Sequence, residues 1–114
     1  MNKTFQWNGE KFPFSALEAE TMRKFVPEAE KMQKAFKDYE KEAGLDGYLN
    51  ADGVIAECKI ADTFLDNLLG EGAAKKMFKG YDMGERLMAV KKLSRLRQAQ
   101  LDEYNQSIEE GWFV

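Results

Sequence analysis

The chain has no histidine and a single cysteine among its 114 residues, and these two scarcities narrow its chemistry more than any motif it carries. Without imidazole there is no ordinary base for a serine or cysteine nucleophile, no histidine ligand for a metal, and no side chain that normally titrates near neutral pH. Most familiar catalytic constellations are thereby excluded, and we read the chain as non-enzymatic, with no cofactor and no metal. Carboxylate-only or lysine chemistry stays open in principle, but twenty acids distributed over amphipathic segments read as solvated faces. Cys58 has no second cysteine to pair with and falls on an apolar helix face, where a thiol packs as a small hydrophobe. No apolar run approaches the ~20 residues that span a bilayer, and the opening MNKTFQWNGEKF lacks the apolar core of a signal peptide. The expectation is one cytoplasmic domain, residues 1–114, with no membrane association and a core that needs neither staple nor metal.

What the sequence does contain is one strongly apolar stretch, Val54 to Leu69. On a helix Val54, Ile55, Cys58, Ile60, Ala61, Phe64, Leu65, Leu68 and Leu69 cover an arc of about 220°, wider than a surface helix needs. This predicts a central helix touched on two sides. Asn50 and Asp52 can cap its start, and Gly70 and Gly72 can close its end.

Around it the chain reads as a mainly α-helical bundle of about four helices (residues 15–114), preceded by a short N-terminal β-hairpin (residues 1–14). Residues 4–7 and 10–14 place strand formers on either side of Asn8-Gly9, the dipeptide favoured by two-residue hairpin turns, with Pro13 weakening the second arm, either on an edge or at the end of the pairing. Ser15 and Glu18 have the spacing of a capping box for a first helix. Met22, Phe25, Ala29, Met32, Phe36, Tyr39 and Ala43 then form a narrow heptad seam, suited either to the chain's own central helix or to a helix of another subunit. Pro27 interrupts the seam and predicts a kink, or two helices with Pro27 in the first turn of the second.

The stretch GLDGYLNADG turns the chain without the ligand spacing of a calcium loop. A short helix is expected from Ala73 to Phe78, since the glycines before it lack the strand and the Gly-Lys-Ser/Thr ending of a phosphate loop. A last helix from Met83 to Ile108 would present Leu87, Val90, Leu93 or Ser94, Leu101, Tyr104 and Ile108, ahead of an aromatic GWFV tail.

Charge comes in blocks of about −5 over residues 1–72, +6 over 73–97 and −4 over 98–114. The middle block holds Lys75, Lys76, Lys79, Arg86, Lys91, Lys92, Arg95 and Arg97. These could meet nucleic-acid phosphates as part of a helix-turn-helix outline. The net charge of −3 and the scatter of these cations around their helices argue instead for a solvated, internally paired or protein-facing surface.

The opening MNKTFQWNGEKFPF, the acidic helix after it and the string FLDNLLGEGAAKKMFKG resemble small proteins encoded among the tail genes of phages and prophages of Gram-positive bacteria. Phe64, Asp66, Leu68, Leu69, Gly70, Glu71, Gly72, Lys76 and Phe78 match the string common in that group, and Lys79 stands before Gly80 where the group usually closes directly. The resemblance implies a tail assembly chaperone in the bacterial cytoplasm that binds the helical tape measure protein. Met22, Phe25, Met32, Phe36 and Phe64 are the candidate partner contacts, with six methionines supplying adaptable surface. Two alternatives stand beside it: a phage-encoded inhibitor of a host protein, and a DNA-binding regulator that uses the basic segment.

Overall fold

The computed structural model describes residues 1–44 and 49–111. Two strands, β1 (Thr4–Trp7) and β2 (Glu10–Pro13), are followed by helices α1 (Ala19–Ala43), α2 (Ala51–Leu69), α3 (Ala73–Met77) and α4 (Met83–Glu109). The expected mainly helical bundle with an N-terminal hairpin is what forms. Residues 45–48 of the glycine-rich turn, and Trp112, Phe113 and Val114 of the aromatic tail, lie outside the described residues.

The hairpin is antiparallel, with Phe5 opposite Phe12 and Thr4 opposite Pro13. Its turn is made by Asn8 at φ 48° and Gly9 at φ 81°, both in the left-handed region that a tight hairpin turn requires. A two-stranded ribbon is marginal by itself. Here Phe5, Phe12 and Phe14 are buried in the common core. Gln100 of α4 locks the hairpin down: its amide donates to the carbonyls of Asn2 at 2.6 Å and Phe14 at 3.0 Å and accepts from the Ala16 amide at 2.6 Å.

That lock explains the first departure from expectation. Ser15 and Glu18 form no capping box: residues 15–18 make a turn in which the Glu18 amide donates to the Ser15 carbonyl, and α1 starts at Ala19 with no side-chain cap. Ala16 is buried and its amide is held by Gln100, so this stretch joins the hairpin to α4 and cannot also be a first helical turn.

Pro27 brings the second departure, since α1 runs unbroken through it. Pro27 and Arg23, whose carbonyl loses its helical donor, are both exposed, so water can take the hydrogen bond. Phe25, Ala29 and Met32 on either side of it pack into or against the core and hold the helix together.

The central position of α2 is as expected: it packs against α1, α3 and α4. The Asn50 side chain accepts from the Gly53 amide at 2.9 Å to cap its start. After it, Gly72 at φ 80° turns the chain into α3, whose Ala74 amide donates across the turn to Asp66 at 2.8 Å. Phe25 meets Phe64 edge-on at 5.8 Å and Phe14 at 6.2 Å, and these rings join hairpin, α1 and α2. Cys58 is fully buried, and burial pushes its thiol pKa up.

α4 departs from its expected face. Val90, Leu93 and Leu101 do turn inward, but Leu87, Tyr104 and Ile108 are exposed, and the buried positions include Arg86, Ala89 and Gln100. Two polar residues with satisfied hydrogen bonds thus rotate the inward face away from the purely apolar stripe. The helix also outruns the core: 27 residues extend about 40 Å in a molecule 58 × 29 × 20 Å overall. Its radius of gyration of 16.2 Å exceeds the roughly 13 Å of a compact chain of this length, so part of the helical surface stands clear of the body.

Candidate partner-binding groove

α1 and α2 lie antiparallel, as the pairing of Glu28 with Asn67 toward one end and of Glu40 with Glu57 toward the other indicates. On one side their contact opens into a groove of about 320 Å³. Met32 and Ala35 form one wall, Ile60 and Thr63 the other, with Phe64 against the core and Glu28, Lys31 and Asn67 toward one end. Helical spacing produces this: Glu28, Lys31, Met32 and Ala35 recur at three and four on α1, as do Ile60, Thr63, Phe64 and Asn67 on α2.

The polar end is built. The Asn67 amide donates to Glu28 at 2.9 Å, and the Lys31 ammonium stands 3.3 Å from the other carboxylate oxygen. The Asn67 hydrogen bond, with Lys31 behind it, holds the Glu28 carboxyl below its ordinary pKa. Farther along the same helix pair, Glu57 is buried and its pKa is raised, first by burial and then by the charge and hydrogen bond of Glu40.

The groove faces away from α4. Asp62 meets Arg86 of α4, and at 100° per residue Ile60 and Asn67 lie about 140–160° around α2 from Asp62. The chain's last helix therefore leaves this side of α2 uncovered. Ile60 carries the lesson: it widened the predicted apolar arc, and that excess width was the sequence signal for a second exposed face. Thr63 and Asn67 gave no such signal, because a polar residue on a helix is ordinarily solvated.

The candidate contacts divide. Met32 lines the groove and Phe36 is half-buried one turn beyond. Phe64 borders the groove but is only 2% exposed, and Phe25 is a core residue. Met22 is 55% exposed and stands apart from the groove lining, near the start of α1.

The basic segment does not act as one surface. The Arg86 guanidinium is buried, pairs twice with Asp62 at 3.0 and 3.2 Å, donates to the Gly80 carbonyl and lies 4.0 Å over the Phe78 ring. Lys92 donates to the Gln6 carbonyl, and Arg97 sits 4.7 Å over the Phe25 ring. Three of the eight cations are thus engaged with the fold, while Lys75, Lys76, Lys79, Lys91 and Arg95 are exposed on different turns of α3, the loop after it and α4. Sequence reasoning missed Arg86 as a core residue; its phase with Ala89, Leu93 and Gln100 was the available signal.

Most of the string from Phe64 to Phe78 has a structural task. Phe64 and Leu69 are core, Asp66 accepts from α3, Gly70 and Gly72 hold positive φ, and Phe78 underlies Arg86. Among the described residues there is no group of three or more acids and cysteines placed to hold a metal ion, and no helix long and apolar enough to cross a membrane. Comparison with curated proteins and with solved structures finds no match. Residues 8–110, from the hairpin turn to the end of α4, match a protein family of unknown function, DUF6673, and the chain belongs to that family.

Proposed function

We propose that the chain is a non-enzymatic, helix-binding protein of phage tail morphogenesis, a tail assembly chaperone whose α1/α2 groove receives an amphipathic segment of the tape measure protein. The observation that supports this reading most is the uncovered apolar groove on the side of α2 away from α4. Its walls span two helical turns, the length over which a docked helix presents i, i+3, i+4 and i+7 anchors. Met32 gives it an adaptable wall, and the engagement of Arg86, Lys92 and Arg97 with the fold leaves less cationic surface for nucleic acid. The tail assignment itself rests on the resemblance of the hairpin and of the Phe64–Gly80 string to tail-gene proteins.

The test is co-expression with fragments of the tape measure protein encoded nearby. A soluble complex that survives about 0.5 M salt, where charge contacts are screened, and that weakens with Met32→Asp or Phe36→Asp supports an apolar groove contact. Circular dichroism of the two variants would confirm that they remain folded. A complex that dissolves at that salt, or that ignores both substitutions, removes the groove from the mechanism.

A further inference from the structure

Glu57 is a buried acid that takes no part in lining the groove. It is 8% exposed, and at 100° per residue it lies within about 20° of Phe64, on the stripe of α2 that faces α1. Glu40 meets it from α1, within about 20° of Ala29, which packs on the core. The two carboxyls therefore meet in the seam between the helices and not on a solvated face. They stand just past the groove, whose lining ends at Ala35 on α1 and at Ile60 on α2.

The seam supplies the pair with no counter-ion. Among the described residues neither acid forms an ion pair: Lys34 is taken by Asp38, and Lys37 and Lys41 of α1 and Lys59 of α2 are exposed. From α4, on the other side of α2, Asp82 and Arg86 bear on Cys58, the neighbour of Glu57, and Arg86 is held by Asp62. A hydrogen bond between two carboxyls needs a proton on one of them. With that proton the contact is a bond; without it two like charges face each other where burial already penalises them, and the proton's loss belongs to the pair. The contact has leverage, because α1 packs chiefly on α2 and its outer half is held by this seam.

We propose that Glu40 and Glu57 form a pH-sensitive clasp on the α1/α2 seam: sharing a proton they close the outer end of the helix pair, and ionised they part it and shift the groove walls at Ala35 and Ile60. The clasp is built into the fold and does not depend on what the groove receives.

The test is NMR of the full chain from about pH 4 to about pH 8, following the glutamate carboxyl carbons and the methyls of Ala35, Ala43, Val54 and Ile60. Glu40 and Glu57 should share a step above the ordinary glutamate range, and the four sets of methyls should move with its midpoint while those of Leu93, buried in the core, stay still. Glu57→Gln keeps the shape and can donate to the Glu40 carboxylate at every pH, so it should abolish the methyl step. Glu40→Gln should leave Glu57 to titrate alone. Two glutamates that titrate independently in the ordinary range, methyls that ignore the shared step, or a methyl step that persists in Glu57→Gln would each overturn the clasp. The wild-type titration decides by itself if a variant fails to fold.

Discussion

Asp62→Ala should be among the most damaging single changes in a polar residue of this protein. Arg86 is 3% exposed and Asp62 22%, and the carboxylate takes two of the guanidinium's hydrogen bonds, at 3.0 and 3.2 Å. Removing the acid leaves a buried cation with the Gly80 carbonyl and the face of Phe78. Breaking a fully buried pair from one side costs about 3–5 kcal/mol. Water can reach the Asp62 end, so the expected loss is about 2–4 kcal/mol. Arg86→Met removes the charge together with the need to compensate it and should cost less, about 1–2 kcal/mol. The double variant should then be more stable than the sum of the two losses predicts, by at least about 1 kcal/mol. Urea-induced equilibrium unfolding of the four proteins measures all of these. A loss under about 1 kcal/mol for Asp62→Ala, or strict additivity, would refute the description of this pair as the polar anchor between α2 and α4.

Gln100→Leu keeps the volume but strands the Ala16 amide and the carbonyls of Asn2 and Phe14, and should cost about 2–4 kcal/mol. Faster hydrogen exchange at the Ala16 amide would locate the damage, and the exposed Gln98→Leu should be nearly neutral in the same unfolding assay. Pro27→Ala should stabilise by about 1–2 kcal/mol, since a restored helical hydrogen bond outweighs the lost stiffness of the unfolded chain; a destabilised variant would show that Pro27 has a role its exposure does not suggest. The raised pKa of Glu57 gives stability that is complete below its unfolded value and lost as pH rises through the folded value, so Glu57→Gln should stabilise more at neutral pH than at about pH 4. Glu28 has the opposite sign: its lowered pKa gives stability present above the unfolded value and lost as pH falls through the folded one, and Glu28→Gln should remove that acid-side loss. Unfolding curves at several pH values distinguish both variants from wild type, and identical pH profiles would contradict the two shifts.

Much of this fold was legible because local chemistry and tertiary packing agree. Asn8-Gly9 requires positive φ and receives it, Asn50 caps α2, and Gly70 and Gly72 close it. The apolar arc of α2 was broad enough to announce a helix with neighbours on two sides. What the sequence concealed were polar residues in apolar places. Arg86 and Gln100 read as solvent-facing by type, yet each becomes a core residue by having its hydrogen bonds satisfied by distant partners, and this turned α4 away from its apparent stripe. Ser15 and Glu18 have the spacing of a cap, but the stretch between them is held by Gln100 from 84 positions away in the chain. Pro27 signals a break only where no packing spans it. The groove was half visible: Met32 and Ile60 lay on predicted apolar faces, but which part of each face stays uncovered depends on where α4 crosses α2, and the Asp62–Arg86 pair decides that.

The claim that the α1/α2 groove is the binding surface is tested most directly by mapping amide and methyl chemical shifts while the isotope-labelled chain is titrated with an amphipathic helical fragment of the tape measure protein. The account predicts a continuous set of perturbations at Met32, Ala35, Ile60, Thr63 and Asn67, lost in Met32→Asp, with Lys75, Lys79, Lys91 and Arg95 unmoved. Perturbations centred on those exposed cations, with the groove residues silent, would contradict it.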